Sequence, residues 1–223
     1  MPRTEAKSRY PLIVFDWDGT LIDSASTIVE CIQQASRDMR LEVPDRDTAS
    51  HVIGLGLQDA LRFAVPGLQR AQYMEFVAHY RRHFLGREEA MTSFPGISPL
   101  LVALRARGHR LAVATGKSRH GLERALEASG LRAQFDATRC ADETQPKPHP
   151  AMLLELLEEL ALEPAQALMV GDTSHDLEMA KSAHVDAIAV TYGAHPEARL
   201  RELQPRAVAA SVEELGSWLA RHA

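Results

Sequence analysis

Short apolar runs alternate with longer amphipathic segments along most of the chain. Four apolar runs stand out: LIVF at 12–15, LAVA at 111–114, ALMV at 167–170 and AIAV at 187–190. Uninterrupted runs of this length are typical of strands that are buried on both faces of a parallel sheet. The segment after Pro150 instead repeats its leucines with a helical period. Strands that alternate with helices predict an α/β fold built on a parallel sheet.

The interval from residue 23 to residue 90 breaks this alternation. Three stretches in it have helical periodicity: 24–40, 57–64 and 69–85. No strand pattern separates them. We therefore expect a helical cap at 23–90, inserted after the first strand of an α/β core that comprises residues 1–22 and 91–223.

Composition and charge narrow the possible partners. The chain has 223 residues, a net charge of −5 and cationic residues that are scattered rather than clustered. This pattern predicts neither a nucleic-acid nor a membrane partner. The first ten residues lack the apolar stretch of a signal peptide, which favours a cytoplasmic location. Cys31 and Cys140 are far apart and have no metal-ligand spacing, so we interpret both as packing thiols.

Two aspartates follow the first apolar run directly. Asp16 and Asp18 are two residues apart, and Gly19 after them permits a tight turn. Like charges this close together require a cation, and Mg²⁺ binds to few protein carboxylates together with water and phosphate oxygens. With the metal bound, one carboxylate can attack phosphorus while the other protonates the leaving oxygen. A solvated acidic turn is the alternative interpretation.

Two more aspartates follow the third apolar run. Asp172 and Asp176 are four residues apart, where the strand is expected to pass into a helix. Ligands bind at the carboxyl ends of parallel strands, so both carboxylates are expected close to Asp16. We interpret Asp172 as the direct metal ligand. Asp176 is either a ligand or a residue behind one, and helix N-capping is the alternative for one of the two.

Two further segments offer groups that bind phosphate. Thr115 and Gly116 follow the second apolar run and supply a hydroxyl and an open backbone. Lys147 lies between two prolines just before a predicted helix, and the prolines stiffen its backbone. A cation held in this way can offset charge in a phosphoryl transition state. A single lysine is more often a solvated surface residue, so this assignment depends on the other motifs.

These segments together resemble the signature motifs of the haloacid dehalogenase superfamily, in its phosphoglycolate-phosphatase-like branch with a helical cap. The matching elements are Asp16-Trp17-Asp18-Gly19-Thr20, Thr115, Lys147, and Gly171-Asp172 with Asp176. Their order and approximate spacing agree with the family over nearly the whole chain. The resemblance implies a Rossmann-like core with an inserted cap and a Mg²⁺-dependent phosphatase that acts on a small, phosphoglycolate-like monoester.

The resemblance also implies a role for each aspartate. Asp16 is the nucleophile, which forms an aspartyl-phosphate intermediate, and it is a Mg²⁺ ligand. Asp18 serves as general acid and base and offers its carbonyl to the metal. Asp172 completes the metal shell, with Asp176 behind it. The resemblance further implies that the phosphoryl group is held by Thr115, Gly116 and Lys147.

Other functions remain open at this point. Dehalogenating relatives lack the second aspartate of the first motif, which is Asp18 here. Phosphonate-cleaving relatives use a cap lysine, whereas residues 23–92 contain no lysine. A sugar phosphomutase shares every core residue and differs only in its cap. A receiver-like signalling domain or a non-catalytic phospholigand-binding module is the alternative from another class.

Specificity is expected to reside in the cap. His51, next to the Gly54/Gly56 turn, is one candidate for contact with the substrate, and the cluster Arg81-Arg82-His83 is a second. The alternative for the arginines is that they only solvate a helix face. The oligomeric state and the identity of the substrate do not follow from these residues.

Overall fold

The computed structural model describes residues 9–87 and 91–223. The strands in this part of the chain are β1 Leu12–Phe15, β2 Arg110–Thr115, β3 Ala137–Cys140, β4 Ala167–Gly171, β5 Asp186–Val190 and β6 Ala207–Ala209. They form one sheet in the order β3-β2-β1-β4-β5-β6, and every neighbouring pair is parallel. The sheet confirms the α/β, Rossmann-like fold that the sequence predicts.

Ten α-helices accompany the strands in the described residues. They are α1 Ala25–Asp38, α2 Arg46–His51, α3 Leu57–Ala64, α4 Tyr73–Leu85, α5 Ile97–Ala106, α6 Arg119–Ser129, α7 Ala151–Glu159, α8 Ser174–Ser182, α9 Glu197–Glu202 and α10 Val212–His222. None of these helices combines the length and the apolar character that crossing a bilayer requires.

The sheet is buried on both faces, which explains the uninterrupted apolar runs. Along β1, Ile13 and Phe15 pack into one core with Leu101 of α5. The intervening Val14 faces a second core that includes Leu153 of α7. Successive side chains of a strand point to opposite faces, so a strand between two helical layers needs apolar residues at every position.

The first four helices form a layer with a core of its own. Ile32 of α1 and Phe76 of α4 are among its buried residues. The chain enters and leaves this layer side by side, since Ile22 forms an isolated antiparallel bridge with Ser93 and the Asp23 N–H donates to the Thr92 carbonyl over 3.0 Å. A separate hydrophobic core with paired connections is what an inserted unit requires. The division into a core and a cap at 23–90 stays a prediction.

The four strands that apolar runs predict are present, but β3, β6 and, among the helices within residues 23–87, α2 were not predicted. β3 has half-buried Thr138 and Arg139 at its centre, because it lies at the edge of the sheet. β6 is the other edge strand and has only three residues. The unpredicted helix α2 buries a single side chain, Ala49, so it has no apolar stripe to detect.

Candidate active site

Asp16 lies in the crevice at the carboxyl edge of the sheet, directly after the central strand β1. Its N–H donates to the Val170 carbonyl on β4 over 2.9 Å, which continues the ladder by one residue and fixes the backbone. The side chain is 1% exposed. Two neighbouring strands therefore hold this carboxylate in a defined position, as an attacking group requires.

Three of the predicted aspartates converge at this edge. Asp16, Asp172 and Asp176 each offer a carboxylate oxygen, and these atoms all lie within 4.8 Å of one another. All three residues are buried. Carboxylates follow two adjacent strands, so the parallel topology brings together residues that are more than 150 positions apart.

Asp172 is oriented by two hydrogen bonds. The Thr20 hydroxyl donates to its Oδ1 and the Ala194 N–H donates to its Oδ2, each over 2.7 Å. Burial, followed by the charge of Asp176, raises the pKa of Asp172 to about 7, although both hydrogen bonds act in the opposite direction. Gly19 leaves room for this carboxylate, because a Cβ there would lie 2.2 Å from Asp172 Oδ2 and its φ is +83°.

Asp176 has one oxygen in a helix cap and the other in the cluster. The Thr173 N–H and hydroxyl donate to Asp176 Oδ2 over 3.1 Å and 2.7 Å, in a reciprocal cap at the start of α8. Its Oδ1 lies 2.6 Å from Lys147 Nζ. The N-cap of α8 is therefore Thr173 and not one of the two aspartates, whereas Asp176 completes the capping box from the third helical position and also belongs to the cluster.

Lys147 reaches the same cluster from the segment between β3 and α7. Its Nζ is 2.6 Å from Asp16 Oδ1 and 2.6 Å from Asp176 Oδ1, and the residue is 1% exposed. Burial alone would lower the pKa of Lys147, but the charges of Asp16 and then Asp176 raise it above its usual value. Lys147 is thus a buried cation, not the solvated surface residue that was the alternative.

One lysine does not satisfy three carboxylates. Burial raises the pKa of Asp16 well above its usual range; Lys147 lowers it, whereas Asp176 and Asp172 raise it further. Asp16 Oδ2 is buried and has no hydrogen-bond partner in the described ranges 9–87 and 91–223. A buried anionic oxygen without a partner is costly unless a cation or a proton accompanies it. The donor set, carboxylate oxygens alone, fits a hard divalent cation.

Asp18 lies outside the carboxylate group. Its Oδ1 accepts a hydrogen bond from the Ser24 hydroxyl over 2.7 Å and is 3.0 Å from Lys117 Nζ. Ser24 lies just before α1 of the helical layer and Lys117 lies just after β2 of the core, so neither contact involves the carboxylates of Asp16, Asp172 or Asp176. Asp16 and Asp18 are thus close in sequence but have different electrostatic surroundings.

The end of β2 forms another wall of the crevice. Thr115 is fully buried, and its Oγ1 accepts a hydrogen bond from the Lys117 N–H over 3.2 Å. A Cβ at Gly116 would lie 2.6 Å from the carbonyl oxygens of Gly54 and Leu55. Glycine at 116 therefore permits the turn after α2 to approach the core closely.

Sequence reasoning gave no role to several residues that orient the site. Thr20 belongs to the first motif and could have been chosen as a polar side chain near a strand end. Ser24 and Lys117 hold Asp18: Ser24 lies just beyond the first motif, and Lys117 follows Thr115 and Gly116 directly but was given no role of its own. The Ala194 N–H contributes through the backbone, so no side-chain pattern could have revealed it.

A second cluster, of histidines, lies where α2 meets the start of α8. His51, His175 and His195 have ring nitrogens within 4.8 Å of one another. Nε2 of His175 and Nε2 of His195 donate to the His51 carbonyl over 2.7 Å and 3.0 Å. Arg199 donates to His51 Nδ1 over 2.9 Å, so the His51 side chain turns to this arginine; His51 does not line the cavity beside Asp18, whereas Arg81 does.

These observations define a site of three carboxylates and one lysine at the carboxyl ends of parallel strands in an α/β fold. The family model of the haloacid dehalogenase-like hydrolases matches residues 13–190. The chain therefore belongs to this family, which confirms the resemblance found in the sequence and the prediction of a hydrolase.

Named relatives point to phosphatase activity. The chain is 37% identical to the probable phosphatase IndB of Dickeya dadantii over 211 residues, which cover 92% of this chain and 91% of that protein. It is 34% identical to a phosphoglycolate phosphatase of Rhodospirillum rubrum, with 93% and 90% covered. Among solved structures, a predicted phosphoglycolate phosphatase of Haemophilus somnus superposes with a TM-score of 0.83 at 26% identity, covering 96% of this chain and 99% of that one.

Proposed function

We propose that the chain is a Mg²⁺-dependent phosphatase that hydrolyses a small phosphate monoester through an aspartyl-phosphate on Asp16. The observation that carries this proposal is the buried cluster of Asp16, Asp172, Asp176 and Lys147, in which Asp16 Oδ2 has no hydrogen-bond partner among the described residues. An oriented carboxylate with an unshared lone pair is suited to nucleophilic attack.

The metal would be held by Asp16, Asp172 and the backbone carbonyl of Asp18, with Asp176 close behind. When bound, Mg²⁺ supplies positive charge that offsets the repulsion between these carboxylates and the substrate phosphate. Lys147 adds a fixed positive charge beside Asp16. The phosphoryl oxygens would also contact the Thr115 hydroxyl and the Gly116 backbone.

The chemical steps follow from these positions. Asp16 attacks phosphorus, the bond between phosphorus and the ester oxygen breaks, and Asp18 donates its proton to the leaving alcohol. Asp18 then removes a proton from water, the water oxygen attacks phosphorus, and the bond to Asp16 breaks to release inorganic phosphate. The separate surroundings of Asp16 and Asp18 support this division of roles, because the acid must exchange protons while the nucleophile must not.

The helical layer would act as the cap that the sequence predicts at 23–90, over this site, in a cytoplasmic enzyme whose partner is a small phosphate ester. The close approach of the Gly54 and Leu55 carbonyls to Gly116 supports such a cap. The expectation of a phosphoglycolate-like ester comes from the resemblance and from the name of the Rhodospirillum rubrum relative. A sugar phosphomutase of the same family is the alternative.

A panel of phosphate esters tests the proposal. Wild-type protein is incubated with each ester in Mg²⁺ buffer, and inorganic phosphate and organic products are both measured, with Asp16→Asn as the blank. A phosphatase releases stoichiometric phosphate and alcohol, whereas a mutase yields an isomeric ester. Absence of both products from every ester would contradict an enzyme of either kind.

A further inference from the structure

A cavity of about 340 Å³ lies beside the candidate site, between the helical layer and the core. Asp18, Gly116 and Lys117 line it on the core side. Since Asp18 would protonate the leaving oxygen in the proposed mechanism, the alcohol part of the substrate would occupy this cavity.

The helical layer gives the cavity an apolar wall. Its residues include Ile28, Ile32, Val52, Ile53, Leu57 and Phe84. Cavities of roughly 300–1,000 Å³ with such walls hold ligands of drug size. A two-carbon leaving group such as glycolate would leave most of this wall in contact with water, and so would forgo about four-fold in affinity for each methylene that it does not bury.

Two stacked aromatic rings form part of this wall. The Tyr80 and Phe84 rings have centroids 5.8 Å apart and an interplanar angle of 23°. Lys117 Nζ lies 4.8 Å from the Phe84 ring centroid. Burial, followed by the charge of Asp18, raises the pKa of Tyr80 well above its usual value, so its hydroxyl remains a hydrogen-bond donor. The wall thus combines flat apolar area with a hydroxyl donor.

The charged residues that line the cavity are mainly basic. Arg81, Lys117 and Arg124 contribute cations, and Asp18 is the one carboxylate among the lining residues in the described part of the chain. Lys117 is paired with Asp18. Arg81 is exposed, so it places positive charge on the solvent side of the cavity. An anionic group on the alcohol part of a substrate would be attracted there.

We infer that this cavity binds a bulky, mainly apolar leaving group that carries a second anionic group on the side of Arg81. The preferred substrate is then a phosphate monoester larger and more apolar than phosphoglycolate. This inference rests on the proposed function, and it narrows the substrate class of that same site.

A series of alkyl phosphates tests the apolar part of the inference. Ethyl, butyl and hexyl phosphate have leaving alcohols of similar pKa, so their rates differ mainly through contacts with the cavity. We expect kcat/KM of wild-type protein to rise by up to about four-fold per added methylene, and hexyl phosphate to be hydrolysed faster than phosphoglycolate. A flat series, or a preference for phosphoglycolate, would overturn the inference while leaving a phosphatase intact.

Binding of alkylphosphonates separates the inference from the proposed function, because their carbon–phosphorus bond is not hydrolysed. Calorimetry with wild-type protein and Mg²⁺ should show hexylphosphonate binding at least about ten-fold more tightly than ethylphosphonate. If this holds but no ester is turned over, the cavity assignment stands and the phosphatase proposal fails. Equal affinities overturn the cavity assignment whatever the activity.

Two matched pairs of variants test which residues of the cavity produce the preference for the leaving group. Leu85 lines the cavity and is 45% exposed, whereas Met74 on the same helix is 71% exposed and lies outside it. Leu85→Gln should reduce the hexyl-to-ethyl ratio by about two- to four-fold, and Met74→Gln should not change it. Equal ratios in both variants would contradict the assigned wall.

The second pair concerns charge. Arg81 lines the cavity and its neighbour Arg82 does not, although both are exposed. Arg81→Gln should lower kcat/KM for 6-phosphooxyhexanoate more than for hexyl phosphate, and Arg82→Gln should affect both equally. A loss for the carboxylate ester that is the same in the two variants would overturn the placement of the second anionic group.

Discussion

Two clusters of ligand-type side chains flank the start of α8, and they differ in how their polar atoms are satisfied. The acidic cluster joins Asp16, Asp172 and Asp176, and the histidine cluster joins His51, His175 and His195. In each cluster the ligand atoms lie within 4.8 Å of one another, close enough to share an ion. The contrast shows that the proximity of ligand atoms alone does not define a metal site.

The ring nitrogens of the histidine cluster form hydrogen bonds with backbone groups and with one arginine. Ser174 N–H donates to His195 Nδ1 over 3.0 Å, and Nε2 of the same ring donates to the His51 carbonyl. Arg199 donates to His51 Nδ1 and places a positive charge beside the ring. These lone pairs are already engaged, so a cation would have to displace existing bonds and approach an arginine.

The acidic cluster has the opposite character. The negative charge of its three carboxylates is larger than the positive charge of Lys147. Asp16 Oδ2 is without a hydrogen-bond partner in the described chain. A cation here would relieve repulsion and satisfy a buried oxygen at once. We therefore expect that ligands and mutations at the acidic cluster change the catalysed reaction. Those at the histidine cluster should instead change the stability of the fold.

The largest effect should come from Asp16→Asn. An amide of the same volume cannot attack phosphorus at a useful rate, so we expect turnover to fall by roughly 10⁴-fold or more. Phosphate release and thermal unfolding are measured together, with the exposed Asp23→Asn as the matched control. Activity near wild type in a folded Asp16→Asn protein would refute the nucleophile assignment.

Asp18→Asn should slow the reaction by roughly 10²- to 10⁴-fold, because Asp18 lies outside the carboxylate cluster and is assigned the proton transfers. Poor leaving groups need the proton most, so the loss should be larger for alkyl than for aryl phosphates. Rates are compared across both ester types in wild type and variant. Equal losses would argue against Asp18 as the acid.

The two clusters should differ in how they respond to metal removal and in their effect on Mg²⁺ binding. EDTA should abolish activity and Mg²⁺ should restore it, and Asp172→Asn should weaken Mg²⁺ binding at least about ten-fold. His51→Ala should leave Mg²⁺ affinity unchanged, since its side chain faces Arg199. Calorimetric titration of the three proteins measures this directly. Full activity in metal-free buffer would exclude the Mg²⁺ requirement.

At the histidine cluster, His195→Ala should destabilise the fold more than His51→Ala. Loss of the His195 ring leaves the buried Ser174 N–H without its acceptor and removes one donor to the His51 carbonyl, at a cost of about 1–3 kcal/mol. His51→Ala keeps that carbonyl and loses only the contact with Arg199 and ring packing. Urea unfolding of both variants provides the comparison; the reverse order would show that the rings, and not the hydrogen bonds, hold the layers together.

The acidic cluster was predictable from sequence because each of its aspartates follows a recognisable apolar run. Asp16 comes after LIVF and Asp172 comes after ALMV, and the parallel topology brings such strand ends together. The carboxylate of Asp18, which the sequence assigned to proton transfer, contacts Ser24 and Lys117. These contacts join the first motif to the start of α1 and to the segment after β2, and local sequence does not encode that arrangement.

The histidine cluster could not be found in the same way. His51, His175 and His195 come from α2, from α8 and from the segment before α9, and no shared motif connects them. Their proximity follows from how the helical layer docks on the sheet. Strands β3 and β6 were missed for a related reason, because edge strands are not enclosed on both sides and need no apolar run.

The smallest expected effect concerns pH at the histidine cluster. Burial, followed by the charge of Arg199, lowers the pKa of His51 to about 4 in the folded chain, whereas an unfolded histidine titrates near 6.5. Between these values the unfolded chain binds more protons, so the free energy of unfolding falls as pH drops from about 6.5 to about 4. The stabilising contribution of neutral His51 is complete above about pH 6.5. Since His51 is only half-buried, solvent screens its charge and the loss should be at most about 1 kcal/mol. Urea unfolding of wild type and His51→Ala across this window measures the contribution of His51 together with its charge coupling to His175 and His195. The wild-type curve should be the steeper one, and parallel curves would show that protonation of His51 does not oppose folding.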